Sequence, residues 1–147
     1  MKLSILVTTK MMQEQDHYRS LFKEFDLTFL NPEQSFSAKE CIEFAGNHDV
    51  WICGDDQITC QVLLATQPRL KLLIKWGSGV DSIETDFARE IGIVFRNTPS
   101  SLTNAVAEYA LAMTLSMMRG IHLVDKSTRE GMWVRPTGRE LAGSLVG

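Results

Sequence analysis

Gly77-Ser78-Gly79 is the stretch of this sequence whose residue types best suit holding a ligand. Two glycines in three positions leave the amides of Ser78 and Gly79 without an overhanging Cβ. Their N–H groups are therefore open to an anion, most simply a small carboxylate. A tight turn with no ligand is the plainer alternative. Lys75 stands two residues earlier and offers positive charge, although a lysine at a strand end is ordinarily solvated. As a dinucleotide fingerprint the stretch is incomplete. Ser82 occupies the place of the third glycine in G-x-G-x-x-G, and no capped helix follows at once. Asp81 reads as a turn residue.

The other chemistry-bearing residues point to no second centre. Asp55-Asp56 invites comparison with a phosphoacceptor or Mg²⁺ site, but such a site needs further acids after the first strand, where the chain has Thr8-Thr9-Lys10. A turn is expected there instead. Those threonines lack the neighbouring glycine of a flavin phosphate loop. His17, His48 and His122 are scattered, with no cysteine or carboxylate at ligand spacing, so each is expected at the surface or on a helix flank and no metal is expected. No nucleophile–base pair is evident.

Composition narrows the class. The 147 residues are 44% hydrophobic and 22% charged, enough to bury a core. A net charge of −3 gives no case for nucleic acid or an anionic membrane as partner. Cys41, Cys53 and Cys60 are odd in number and form no C-x-x-C pair, the usage of a reducing cytoplasm. The opening apolar run is too short for a signal peptide or a membrane span, and reads as a strand.

The elements that position the glycine turn follow from periodicity. Strands are expected at Leu3–Thr8, Leu27–Leu30, Val50–Cys53, from Leu70 to the turn, and at Ile93–Phe95. Between them lie a helix from about Gln13 to Phe25 with Tyr18, Leu21, Phe22 and Phe25 on one side, and a helix opened by the Ser37/Glu40 capping box that carries Cys41, Ile42, Phe44 and Ala45 inward. Two more are expected from about Thr59 to Thr66 and Glu84 to Ile91. Strands alternating with helices give an α/β fold, a flavodoxin-like, doubly wound parallel five-stranded sheet ending near residue 98. A long helix follows from Thr103 to about Met118, apolar nearly all round and expected to be buried on several sides. A second runs from Ile121 to about Glu130, and the end enters a new apolar strand at Leu145-Val146. Stopping at Gly147, the chain breaks off in mid-motif, as a piece of a larger protein would.

Taken together, GDDQIT (54–59), PRLKLLIKWGSGVDSIE (68–84), GIVFRNTP (92–99), TNAVAEYALAMTL (103–115), REGMWVRP (129–136) and GRELAGSLVG (138–147) resemble the D-isomer-specific 2-hydroxyacid dehydrogenases, the family that includes phosphoglycerate dehydrogenase. The resemblance covers about two-thirds of the chain, in the family's order and spacing. It implies that residues 1–98 form the substrate-binding ("catalytic") domain and that residues 99–147 are interdomain helices and the truncated start of a Rossmann NAD-binding domain. It implies that Ser78 and Gly79, with Gly77 and Lys75 beside them, hold the carboxylate of a small 2-hydroxy or 2-keto acid. Thr103 matches a position close to the NAD or NADP cofactor, and the helices over residues 103–131 imply a homodimer.

Two departures from the family pattern matter. Gly54-Asp55 stands where some members have Arg-Ser reaching the substrate, which argues against phosphoglycerate, and Leu102 stands where many have Asn. Gly147 matches the first glycine of the family's G-x-G-x-x-G. The ribose-binding acid, the substrate arginine and the glutamate–histidine pair would lie beyond it, so no catalytic residue is assigned in this chain and the chain alone is expected to be inactive. The alternative to part of an oxidoreductase is a non-catalytic binding or regulatory module, or a decayed homologue. A receiver- or flavodoxin-type domain, binding FMN or phosphorylated at Asp55 or Asp56, is a third reading.

Overall fold

The computed structural model describes residues 2–12 and 15–145, which fall into two compact units, residues 1–101 and 102–147. The first unit is a five-stranded sheet. Its strands are β1 (Ser4–Val7), β2 (Asp26–Phe29), β3 (Val50–Cys53), β4 (Leu72–Lys75) and β5 (Val94–Asn97), all parallel and ordered β2-β1-β3-β4-β5. This is the flavodoxin-like order, with its switch point between β1 and β3, and the α/β expectation holds.

Parallel strands need crossovers, and four helices supply them: α1 (Gln15–Leu21), α2 (Ala38–Phe44), α3 (Cys60–Ala65) and α4 (Thr85–Glu90). Both α2 and α3 start on side-chain caps. Ser37 and Glu40 form the expected capping box, and the Thr59 hydroxyl accepts from the Val62 amide. Alternation along the strands sorts the core into two layers. Leu6, Trp51, Cys53 and Leu73 face one way and pack with Cys41, Val62, Leu63 and Ala88, while Ile5, Val7, Leu27 and Ile52 face the other and pack with Met12 and Tyr18.

The edge strands are guarded alike. The amides of Asp26 and Leu30 bond to β1, so the intervening Leu27 carbonyl points away from the sheet, where the Arg19 guanidinium donates to it at 2.9 Å. At the opposite edge the Val94 amide bonds to Lys71, and the outward Phe95 carbonyl accepts from Arg96 at 2.8 Å.

In the second unit, α5 (Thr103–Arg119) turns into α6 (Ile121–Arg129) at Gly120, whose φ of 64° is the left-handed conformation that favours glycine. The Arg139 amide donates to the Met118 carbonyl at 2.9 Å, tying the following segment to this corner.

Several expectations are corrected. The first helix is shorter, because the Phe25 amide turns back to Phe22 and Asp26 already pairs with Leu3; Gln13 lies outside the described residues. Ile42 is 42% exposed, since Cys41 and Phe44 take the inward positions of α2. No residue of α5 is buried: Val106, Tyr109, Leu111 and Met117 are all exposed, because the 102–145 segment supplies too few apolar neighbours to cover a helix that is apolar all round. Leu145 is irregular and fully exposed rather than in a strand, and Val146 and Gly147 lie outside the described residues.

His48, expected at the surface or on a helix flank, follows α2 and is half-buried at the amino-terminal edge of the sheet, where its Nδ1 is hydrogen-bonded to the Ser4 hydroxyl at 2.8 Å. Burial and the nearby Arg69 hold its pKa below the ordinary 6.5, although Asp26 and Asp49 oppose them. Next to it, the Ser4 amide and the Arg69 guanidinium hold the Asp49 carboxyl below the ordinary carboxylate range. Both folded-state values are depressed. The stability each group contributes is therefore full above its unfolded pKa and lost as pH falls through its folded one. Thermal melts should show stability falling from pH 7 to 5 as His48 is forced to take up a proton. His48→Gln should flatten that decline and leave the Asp49-linked loss below about pH 4. Equal declines in both proteins between pH 7 and 5 would contradict this assignment.

Candidate functional site

The glycine turn lies at the carboxyl edge of the sheet, directly after β4, where open α/β sheets bind ligands. Gly77 has a φ of 144°, a conformation that side-chain-bearing residues rarely adopt. Its amide donates to the Thr98 hydroxyl at 2.9 Å, its carbonyl accepts from the Thr98 amide at 3.0 Å, and Asn97 Nδ2 donates to the Ser78 carbonyl at 2.9 Å. On the other flank the Trp76 amide donates to the Cys53 carbonyl. The turn is thus fixed through Gly77 and through the Ser78 carbonyl, while the amides of Ser78 and Gly79 donate to no protein acceptor among the described residues. Both residues are exposed. Two adjacent N–H donors on a fixed backbone form a small anion cradle.

Asn97 and Thr98 are working parts of this cradle that the sequence reading took only as the end of a strand. No local signal marks them: Asn97 pairs in register with Lys75, a relation between two strands that only the fold establishes.

Lys75 departs from the solvated lysine expected at a strand end. It is 3% exposed, and its ammonium donates to the Gly54 carbonyl and to the Asp55 carboxylate. Asp55 itself is open to solvent, with its side chain 91% exposed. The turn between β3 and α3 is gripped again by Asp56, which is fully buried. Its carboxylate accepts from the Thr8 hydroxyl, from the Phe36 amide at 2.9 Å and from the Gly54 amide at 3.2 Å, and Trp51 Nε1 donates to the same Thr8 hydroxyl at 2.9 Å. Thr8 is therefore committed to Asp56 rather than to a phosphate. Among the neighbours, burial pushes the Cys41 thiol up to about 12 and the Cys53 thiol higher, so both are protonated, inert core residues.

Asp81 is exposed, with one carboxylate oxygen 3.9 Å from the position a Cβ on Gly79 would occupy. Thr103, in the second unit, opens α5 and is exposed. The glycine turn does not run into a helix: α4 begins only at Thr85, and its cap Glu84 makes no side-chain cap bond. The cradle accordingly fits a small carboxylate and not a dinucleotide pyrophosphate, and no step of cofactor chemistry follows from these residues.

The family model for "D-isomer specific 2-hydroxyacid dehydrogenase, catalytic domain" matches residues 5–134. The D-3-phosphoglycerate dehydrogenase of Mycobacterium tuberculosis strain H37Rv is 38% identical over 87 residues, covering 58% of this chain and 16% of the relative. The glyoxylate reductase of Thermofilum pendens is 34% identical over 118 residues, covering 76% of this chain and 34% of the relative. The chain thus spans well under half the length of these curated relatives. The solved D-lactate dehydrogenase of Aquifex aeolicus, complexed with NAD and lactic acid, superposes with a TM-score of 0.75 at 20% identity, over 94% of this chain and 41% of that one. At that identity the likeness speaks to the fold.

Removing the Asp56 carboxylate would orphan three donors at the carboxyl edge. Asp56→Ala should cost about 3 kcal/mol in urea unfolding, while Asp56→Asn, which keeps an acceptor, should cost about half of that. A loss below about 1 kcal/mol for the alanine variant would show that these bonds do not hold the edge together.

Proposed function

The chain belongs to the D-isomer specific 2-hydroxyacid dehydrogenase family, and from that premise we propose that it supplies the substrate-carboxylate side of the cleft in an NAD(P)-dependent oxidoreductase interconverting a small D-2-hydroxy acid and its 2-keto acid. One observation carries the reading: the amides of Ser78 and Gly79 are held in place by Thr98 and Asn97 yet find no acceptor among the described residues. A substrate carboxylate takes both N–H groups, which fixes one end of the acid and so sets the position of its C2. The amide cradle needs no proton of its own to do this. Gly77 supplies the backbone geometry, and Lys75 the nearest buried positive charge.

Residues 1–98 act as the substrate-binding domain, and residues 99–147 begin the nucleotide domain, with Thr103 near the cofactor. Hydride transfer requires a nicotinamide against the substrate carbon and an acid or base at its oxygen. The described side chains at the cradle include Lys75, Asp81, Asn97 and Thr98, and in this reading the chain alone orients substrate without turning it over. The protein works in the cytoplasm, where Cys41, Cys53 and Cys60 stay reduced.

Titration of the ¹⁵N-labelled chain with pyruvate should move the Ser78 and Gly79 amide resonances ahead of all others, with no NADH oxidation in the same sample. Unmoved amides would overturn the cradle, and measurable turnover would overturn its separation from the chemistry.

The apolar residues exposed on α5 and α6, among them Val106, Leu111, Met117 and Leu123, support a homodimer formed through residues 103–131. Light scattering should return the mass of a dimer, and Met117→Asp should shift it towards monomer. A wild-type chain that stays monomeric would count against this pairing.

A further inference from the structure

We propose that Asp55 selects substrates by charge. It occupies the Lys75 ammonium at the mouth of the cradle, so that a monocarboxylate is accepted and an acid carrying a second anionic group is turned away. The inference rests on the carboxylate reading of the cradle and adds to it the class of acid admitted.

Three observations meet at this point. Lys75 lies close to the cradle, its Cε 3.5 Å from the position a Cβ on Gly77 would take. Its ammonium is buried, and the acid it bonds is Asp55, alongside the Gly54 carbonyl. Asp55 is 91% exposed at the side chain against 4% for Lys75, so the negative member of the pair lies on the solvent side, where a ligand arrives. The backbone beneath Asp55 has little freedom to carry it away. Gly54 is held through its amide by Asp56 and through its carbonyl by Lys75.

An arriving acid therefore meets hydrogen-bond donors without net positive charge. The nearly buried cation is already neutralised by an exposed carboxylate, and a second carboxylate, that of Asp81, lies beside Gly79. A carboxylate bonded to two amides tolerates this arrangement. A phosphate, adding about −1.5 to −2 charges, is repelled. The repulsion acts through solvent and weakens with salt.

The test compares pyruvate with 3-phosphoglycerate on the intact 147-residue chain, reading the Ser78 and Gly79 amide resonances in the wild type and in Asp55→Asn. The asparagine keeps an oxygen for Lys75, and matching melting curves establish that the variant is folded. The wild type should bind pyruvate in preference. Asp55→Asn should raise the affinity for 3-phosphoglycerate relative to pyruvate by roughly tenfold. Raising salt to about 0.5 M should narrow the wild-type preference and leave that of the variant nearly unchanged. An unaltered preference in Asp55→Asn, with the amides shifting in both proteins, overturns the role of Asp55 and leaves the cradle standing. Amides that respond to neither ligand in either protein overturn the cradle, and this inference with it.

Discussion

Asp56 is the group on which the carboxyl edge of this sheet depends. A fully buried carboxylate with no cation on it among the described residues is tolerated only when its oxygens are filled by donors, and here one hydroxyl and two amides fill them. Those donors come from three separate loops: the segment after β1, the approach to α2 and the turn after β3. One side chain thus draws together segments that local sequence alone would leave independent. With the Gly54 amide held from one side and its carbonyl from the other by Lys75, the turn after β3 becomes a fixed wall beside the glycine turn.

Rigidity of this kind is what a backbone anion site requires. Two free amides bind an anion well only if they are held in place before it arrives, since ordering a loose loop would cost about as much as the hydrogen bonds return. Thr98 and Asn97 meet that requirement from the neighbouring strand end, bonding to the glycine turn at Gly77 and at the Ser78 carbonyl. The donors that remain, the amides of Ser78 and Gly79, have no acceptor among the described residues.

The sheet was legible in the sequence because buried parallel strands announce themselves as short apolar runs between turn residues, and Ser37/Glu40 and Thr59 mark helix starts by local chemistry. Gly77-Ser78-Gly79 was legible for the same reason: its character lies in what the residues lack. Lys75, Asn97 and Thr98 were not. A lysine at a strand end is ordinarily solvated, and only the approach of Gly54, twenty-one positions away, makes a burial site for this one. The roles of Asn97 and Thr98 depend on register between two strands, which no window along the chain contains. The long helix failed in the opposite direction. Its periodicity was read correctly as apolar all round, but burial depends on what surrounds a helix, and residues 102–145 do not provide the cover.

The arginines at the two edges of the sheet carry a consequence for how this protein can associate. An outward carbonyl on an edge strand is an invitation to any extended chain in solution, the first step of open-ended strand stacking. Arg19 and Arg96 answer one such group on β2 and one on β5 with a bulky, hydrated cation drawn from the protein itself. One outward acceptor on each edge strand is thereby already occupied. A chain approaching either edge must first displace an arginine from the carbonyl it would use.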